Sequence, residues 1–307
     1  TWTSINPGAD HTCGVTTEGS GYCWGGNELG QLGNGLTTTS AVPVEVSGGY
    51  AWTIITGGGG TTCGITTQGT GYCWGYNEGG QLGNGTDSTT TVPVEVSGGH
   101  VWSSITAGIS NTCGVTTEGA GYCWGTTFFG QLGNGLTTDI SHTPAEISDG
   151  HTWTSINPGE NHTCGITTQG TGYCWGANFA SQLGDPVSAD ISAVPVEVTG
   201  GHTWSSINAG SSATCGMTTE GNGYCWGDNS IGQLGNPVTT DITAIPVEIS
   251  GGHAWSSITA ASGYHTCAVT TESAGYCWGL NDGGQIGDGT MTTVRITPVK
   301  VTTPWTP

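Results

Sequence analysis

Twelve cysteines carry the most reactive side chains in this 307-residue sequence, and they fall into six pairs whose members are ten positions apart. Two thiols at such a spacing either form a disulfide or contribute ligands to a metal ion. Zinc sites use short Cys-x2-4-Cys chelates and four converging ligands, which this spacing does not supply. We therefore predict one disulfide in each pair: Cys13–Cys23, Cys63–Cys73, Cys113–Cys123, Cys164–Cys174, Cys215–Cys225 and Cys267–Cys277.

The residues between the paired cysteines predict the element that brings them together. In CGVTTEGSGYC, β-branched and aromatic residues flank the turn signal Glu18-Gly19-Ser20, which is the pattern of a tight β-hairpin. A hairpin folded about Glu18 places Cys13 opposite Cys23, within reach of a disulfide. Six such bridges require an oxidising compartment. A secreted, extracellular or cell-surface protein is expected, and a first residue Thr1 fits a mature, processed chain.

The cysteine hairpin belongs to a repeat that accounts for nearly the whole sequence. The string GYCWG occurs six times, and the first cysteine of each pair recurs at spacings of 50, 50, 51, 51 and 52 residues. The repeats cover approximately 1–50, 51–100, 101–151, 152–202, 203–253 and 254–301. We predict a single six-repeat domain over 1–301, followed by a tail or linker at 302–307.

Each repeat reads as four short strands, and four strands in about 50 residues make one blade of a β-propeller. The first strand is WTSI at 2–5, the hairpin supplies the second and third, and PVEV at 43–46 is the fourth. We predict an all-β fold: a closed β-propeller of six four-stranded blades with one disulfide per blade. A seven-bladed ring and a β-helix are the alternatives. We also expect one blade to combine strands from both ends of the chain.

The segment HTCGVTTEGSGYCWGGNELGQLGNG resembles the repeat of the regulator-of-chromosome-condensation family. In that repeat a His-Thr/Ser, an apolar strand, a Gly turn, Tyr-x-Trp-Gly and Asn-x-x-Gly-Gln-Leu-Gly follow in this order. The resemblance extends over all six repeats and implies a closed β-propeller. The added cysteine pair is similar to secreted bacterial versions of the repeat. The nucleotide-exchange and chromatin-binding activities of the nuclear member are not expected here.

The charge balance excludes several classes of partner. The chain has a formal net charge of −20, and its only cations are Arg295 and Lys300. Nucleic-acid binding depends on cations that neutralise phosphates, so neither nucleic acid nor an anionic membrane is an expected partner. No run of 18 apolar residues is present, so we predict no membrane insertion.

The repeated residues are predicted to be structural. Tyr22 and Trp24 alternate with Cys23 and should pack blade against blade, and GQLG should turn the chain toward the fourth strand. The sequence contains no Gly-x-Ser-x-Gly and no His-Glu-x-x-His motif. We therefore predict that the protein is not an enzyme, and that it has no catalytic residues, no metal site and no cofactor.

Positions where the repeats differ are better candidates for function. Adjacent exposed aromatics tend to mark an interface, and Phe128-Phe129 is the clearest case in the loop before GQLG. The full set of interface candidates is Phe128, Phe129, Tyr76, Phe179 and Trp305. Two sequons make Asn84 and Asn161 glycosylation candidates.

The leading functional hypothesis is an acidic, secreted, non-enzymatic propeller that acts by protein–protein contact. It would either bind a protein partner or assemble with copies of itself as a structural subunit of a filament or cell surface. One alternative is a lectin-like module that binds a glycan. Another alternative is a secreted enzyme-inhibitor propeller, which the family resemblance suggests.

Overall fold

In the computed structural model, which describes residues 1–238, 241–260 and 264–302, the structure consists of 24 β-strands and their connections. Four consecutive strands form each of six antiparallel sheets. These sheets are the blades of a six-bladed β-propeller, numbered here one to six in chain order. The fold class predicted from the repeats is therefore confirmed, as is one disulfide per blade.

The strand bounds follow the repeat closely. The first strands of the blades are β1 (Trp2–Pro7), β5 (Trp52–Gly57), β9 (Trp102–Ala107), β13 (Trp153–Pro158), β17 (Trp204–Ala209) and β21 (Trp255–Ala260). The second strands are β2 (His11–Thr16), β6 (Thr61–Thr66), β10 (Asn111–Thr116), β14 (His162–Thr167), β18 (Ala213–Thr218) and β22 (His265–Thr270). The third strands are β3 (Gly21–Gly25), β7 (Gly71–Gly75), β11 (Gly121–Thr126), β15 (Gly172–Ala177), β19 (Gly223–Asp228) and β23 (Gly275–Leu280). The fourth strands are β4 (Ser40–Glu45), β8 (Thr90–Glu95), β12 (Ile140–Glu146), β16 (Ile191–Glu197), β20 (Ile242–Glu248) and β24 (Val294–Lys300).

The chain divides into two compact units, Thr1–Pro158 and Gly159–Pro307. The first unit contains β1 to β13, and the second contains β14 to β24. Among the described residues, no helix is long and apolar enough to cross a membrane.

Two details of the strands differ from the sequence predictions. The fourth strand starts at Ser40, three residues before the predicted PVEV, and Pro43 lies inside it. The register of β3 against β4 shifts between Cys23 and Gly25, and this irregularity accommodates a residue that has no N–H to donate. In addition, each described sheet contains only consecutive strands, so the predicted mixing of strands from the two chain ends is wrong.

The core lies between blades, and each blade contributes two different faces to it. We call one the disulfide face, which in blade one comprises Cys13, Val15, Cys23, Leu32 and Val46. We call the other the tryptophan face, which in blade two comprises Trp52, Ile55 and Trp74. These two faces pack together and bury all eight side chains. The same pairing joins blade two to three, four to five and five to six.

Candidate functional site: the loop end of the blades

The cysteine hairpin forms as its sequence predicts. Gly19 adopts a positive φ of 82° in the turn, and Cys13 pairs with Cys23 across β2 and β3. The bridge is fully buried in the disulfide face, where it contacts the next blade's tryptophan face. Among the described residues no cysteine is free. The cysteines therefore have a structural role in the interface between blades.

The GQLG motif connects neighbouring blades, a contact that was not predicted from the sequence. The Gln31 carbonyl accepts hydrogen bonds from Trp74 Nε1, at 2.9 Å, and from Thr62 Oγ1, at 2.7 Å, both in blade two. Gly33 lies so close to Trp74 that a Cβ there would be 2.6 Å from the indole nitrogen. The sequence did carry a signal for this contact: GQLG recurs with every GYCWG. A contact that is repeated between blades requires both of its motifs to recur together.

Two buried histidines belong to the same connection. His11 Nε2 lies 2.7 Å from Thr62 Oγ1, and His162 Nε2 lies 2.8 Å from Thr214 Oγ1. Because Thr62 Oγ1 already donates to the Gln31 carbonyl, the imidazole must be the donor and carries its proton on Nε2. Burial lowers the pKa of His11 to about 4, partly opposed by Asp10, and burial lowers the pKa of His162 to about 3. Both rings are therefore neutral and structural at pH 7.

The long connection between the third and fourth strands has a repeated internal frame. Asn27 accepts a hydrogen bond from the Leu32 amide at 2.9 Å and donates to the carbonyls of Leu36 and Thr38. Asn77 does the same in blade two. A buried amide that satisfies several backbone groups fixes the loop in one conformation. The tip of the loop can then present side chains to solvent at little entropic cost.

The loop tips expose apolar side chains on short Asx turns. The amide of Leu36 donates to Asn34 Oδ1 at 3.1 Å, and that of Leu136 donates to Asn134 Oδ1 at 3.1 Å. Both leucine side chains are exposed. In the second unit the same turn presents Val187 and Val238. An Asx turn sets the backbone locally, so these apolar groups are held outward by the turn itself.

Most of the predicted interface residues lie on these same loops. Phe128 is 59% exposed, and Phe129 beside it is half-buried. Tyr76 is half-buried and its hydroxyl donates to Glu78 Oε2 at 3.2 Å. Burial, and then this hydrogen bond, raise the pKa of Tyr76. In the second unit Phe179 is exposed on the corresponding loop. Trp305 lies outside the described residues.

The two glycosylation candidates lie near this end of the blades. Asn84 is half-buried, and its Oδ1 accepts from the amide and hydroxyl of Thr86 at 3.1 and 2.9 Å. Asn161 is half-buried next to the start of β14. Their modification stays a prediction.

Charge at the loop end is mainly negative. Hydrogen bonds from its own backbone amide, from the Thr39 hydroxyl and from the Asn27 amide hold the pKa of the Glu28 carboxyl below the ordinary value. Arg295 is paired with Asp288 at 2.6 Å. The hydrogen bond from the Thr290 hydroxyl, together with this guanidinium, lowers the pKa of Asp288 to about 2. Among the described residues no group of three or more His, Cys, Asp or Glu side chains is placed to hold a metal ion.

The opposite end of the sheets carries small polar pockets. In blade three a pocket of about 250 Å³ is lined by His100, Thr117, Glu118 and Tyr122, among others. The His100 and Tyr122 rings lie 4.3 Å apart, and burial with the nearby carboxylates raises the pKa of Tyr122. An equivalent pocket of about 180 Å³ occurs in blade five around His202.

The architecture thus defines a β-propeller whose blades are stapled by disulfides and joined by tryptophan–glutamine contacts. Models of the regulator of chromosome condensation (RCC1) repeat match residues 18–65, 68–115 and 220–269. A second model of this repeat matches 2–31, 153–182 and 204–233. These segments cover more than half of the chain, which belongs to the RCC1 repeat family.

Curated relatives share only part of their length with this chain. The ultraviolet-B receptor UVR8 of Arabidopsis thaliana is 33% identical over 165 residues, which are 52% of this chain and 37% of the receptor. The E3 ubiquitin-protein ligase HERC2 of Homo sapiens is 32% identical over 151 residues, which are 46% of this chain and 3% of the ligase.

Solved structures agree in fold over nearly the whole chain. Yeast RCC1 (Prp20), in a crystal structure with Kap60, superposes with a TM-score of 0.87 and 19% identity over 99% of this chain and 75% of its own. Human WBSCR16 gives a TM-score of 0.88 and 19% identity over 99% of this chain and 82% of its own. At such identities the likeness shows the fold alone.

Proposed function

We propose that this protein is a non-enzymatic binding scaffold that contacts a protein partner through the loops between the third and fourth strands. The observation that carries the proposal is the set of apolar side chains held in solvent by Asx turns, Leu36 and Leu136 in the first unit and Val187 and Val238 in the second. Folding gains nothing from exposing them. Exposed apolar groups on a rigid support are typical of protein-binding surfaces.

The charge of the chain indicates the chemistry of the partner. With a formal net charge of −20, the protein attracts cationic surfaces and repels acidic ones. Its loop end combines carboxylates such as Glu28 with exposed Leu36 and Phe128. The partner that fits is a segment carrying both basic and apolar side chains.

The relatives support a protein partner. Yeast RCC1 is described in complex with Kap60, and its binding to Gsp1p and histones has been characterised. HERC2 is a ligase, but the matched region is 3% of that protein, so its activity gives little reason to expect catalysis here. Binding is the function that the shared propeller supports.

The compartment is proposed from the disulfides. Six bridges buried between blades suit an oxidising environment such as the cell surface or the extracellular medium. Thiol titration of unfolded protein from its native source tests this. No reactive thiol is expected without reductant, and a protein with twelve reactive thiols in its source would contradict the proposal.

Peptide display tests the binding surface. The intact protein is used to select from a random peptide library, and the selected peptides are assayed against Phe128→Ser and against the control Val101→Ser. Val101 is similarly exposed but precedes β9 at the other end of the sheet. Peptides rich in basic and apolar residues should bind Phe128→Ser at least about tenfold more weakly, a loss of roughly 1.4 kcal/mol.

The result that would contradict the proposal is equal loss of binding in both variants, or selection of acidic peptides. Unchanged thermal unfolding of Phe128→Ser shows that the loss reflects the surface and not the fold.

Glycan binding is a second candidate, favoured by the pocket around His100, Glu118 and Tyr122. Polar side chains beside an aromatic ring are the groups that orient a sugar in a shallow site. A glycan array tests this function, and Glu118→Gln should abolish any hit. An array without hits would contradict glycan binding as a function of this protein.

A further inference from the structure

Two tyrosine rings are stacked on each other where the chain enters blade two. Tyr50 lies in the connection from β4 to β5, and Tyr72 lies on β7. Their ring centroids are 4.4 Å apart and their planes are inclined by 34°. Burial, and then a hydrogen bond with the Tyr50 hydroxyl, raise the pKa of Tyr72. The two phenols are therefore in contact through their rings and close together at their oxygens.

Neighbouring residues hold the Tyr50 ring in this place. Trp52 packs its edge against both rings, at 5.3 Å from Tyr50 and 6.0 Å from Tyr72. Gly48 has a φ of 105°, and a Cβ on it would collide with the Tyr50 ring. Both tyrosines are half-buried and pack against the core cluster between blades one and two. Each ring thus keeps one part in solvent, where a small oxidant can reach it.

The same stacking recurs in later blades with an imidazole in place of the first phenol. The ring centroids are 4.2 to 4.4 Å apart in the pairs His100–Tyr122, His202–Tyr224 and His253–Tyr276. In the sequence, the position of Tyr50 is occupied by histidine in every later repeat. The geometry therefore belongs to the repeat, whereas two phenols in this geometry are particular to blade two.

We propose that Tyr50 and Tyr72 form an intramolecular dityrosine cross-link when the protein meets a one-electron oxidant, such as a haem peroxidase with hydrogen peroxide. Each phenol loses one electron and its hydroxyl proton, and the peroxide is reduced to water. The two radicals join through a bond between one Cε carbon of each ring. The proton on each of those carbons then moves to the oxygen, which restores both phenols. The product has two hydrogen atoms fewer than the starting protein.

The chain offers few groups that would compete for the oxidant. Thiols are readily oxidised, and among the described residues every cysteine is in a disulfide. Groups held in contact react at an effective concentration of at least about 1 mM. At about 10 μM protein, coupling within the chain should then exceed coupling between copies by roughly a hundredfold.

The cross-link would attach the connection between blades one and two to the third strand of blade two. Like the disulfide Cys63–Cys73 in the same blade, it restricts the unfolded chain and should raise the urea midpoint of unfolding. A carbon–carbon bond is not opened by thiols. The oxidised protein should therefore keep this link in reductant, where the disulfides are lost.

Oxidation of the intact protein at low concentration provides the test. The protein is treated with peroxidase and hydrogen peroxide, and in parallel with a small photochemical one-electron oxidant. Dityrosine fluorescence and mass spectrometry of a digest are the readouts. We expect a monomer on a denaturing gel and a cross-linked peptide pair that contains Tyr50 and Tyr72 and lacks two hydrogen atoms.

Variants separate this pair from other tyrosines. Tyr50→His copies the later repeats and should lower the fluorescence at least about tenfold, because only coupling between copies remains. Tyr72→Phe keeps the ring, removes the phenol and is used if Tyr50→His fails to fold. Tyr122→Phe is the matched control and should leave the yield unchanged, since its stacking partner is His100.

His202→Tyr should add a second cross-linked peptide, with Tyr224 in blade five, because the geometry of the two rings is already present. Several results would overturn the inference: oxidation of Tyr76 without a Tyr50–Tyr72 peptide, equal fluorescence in Tyr50→His, or covalent dimers as the main product. None of them affects the peptide selection, because neither tyrosine lies in the loops between the third and fourth strands.

Discussion

The interface between blades and the loop end of the blades use the same apolar residue types for opposite purposes. Leu132, within the third GQLG, is completely buried, whereas Leu136, four residues later in the same connection, is 52% exposed. The first is covered by neighbouring core residues, and the second stands on an Asx turn. Residues that recur in every repeat pack the blades, and residues that vary between repeats remain available for contact with other molecules.

The largest effect should come from breaking a complete contact between blades. Trp74→Ala should lower the free energy of unfolding by roughly 3–5 kcal/mol, because it empties the core and leaves the Gln31 carbonyl with one donor fewer. Trp24→Ala, at the same position in blade one, should cost much less since the indole is half-buried and its Nε1 donates to no described residue. Urea unfolding of both variants measures the difference, and equal losses would contradict the comparison.

Removing a bridge should show whether the disulfide acts through the chain or through the interface. Replacing Cys63 and Cys73 by Ala removes a ten-residue link worth about 2.7 kcal/mol in the loop-entropy model, and it also leaves a cavity against Trp102. The same double replacement at Cys267 and Cys277 removes an equal loop from a face that is partly open. We expect the double replacement in blade two to lower the free energy of unfolding more than the one in blade six. Chemical unfolding without reductant measures both losses.

Acid should weaken the contact between blades through the buried histidines. The unfolded chain binds protons on His11 below its ordinary pKa of 6.5, while the folded protein keeps the ring neutral until pH reaches about 4. Stability contributed by the neutral ring is therefore complete above pH 6.5 and is lost as pH falls toward 4, by about 2 kcal/mol at pH 5.

His11→Asn, which copies Asn111 of blade three, should flatten this part of the pH profile. The urea midpoints of unfolding of the variant and of the unmodified protein, each at pH 7 and pH 5, measure this change. Identical pH profiles for the variant and the unmodified protein would show that other groups, such as carboxylates, cause the loss.

The smallest effect is expected at the loop tips. Leu136→Ser should change the free energy of unfolding by less than about 0.5 kcal/mol, as exposed positions usually do. Leu132→Ala in the same loop serves as the positive control and should cost roughly 2–5 kcal/mol. Thermal unfolding compares them, and a large loss at Leu136 would show that its side chain is part of the core.

Part of the candidate binding surface at the loop end of the blades could be predicted from the sequence. Phe128 and Phe179 stand out because they interrupt a repeat, and the structure places both in solvent. Leu36, Leu136, Val187 and Val238 were missed because one apolar residue in a polar loop has no periodicity. Their shared position two residues after Asn or Asp was the signal that could have identified them.

The sequence by itself determined the number of blades, the cysteine pairing and the four strands of each repeat, because hairpins and turns depend on residues close together in the chain. Only the tertiary structure decided that Trp74 is buried while Trp24 is partly open, and that Val15 is covered while Val269 is not. These pairs have almost the same local sequence. Burial depends on whether a complementary face lies against them, and that information is absent from any single repeat.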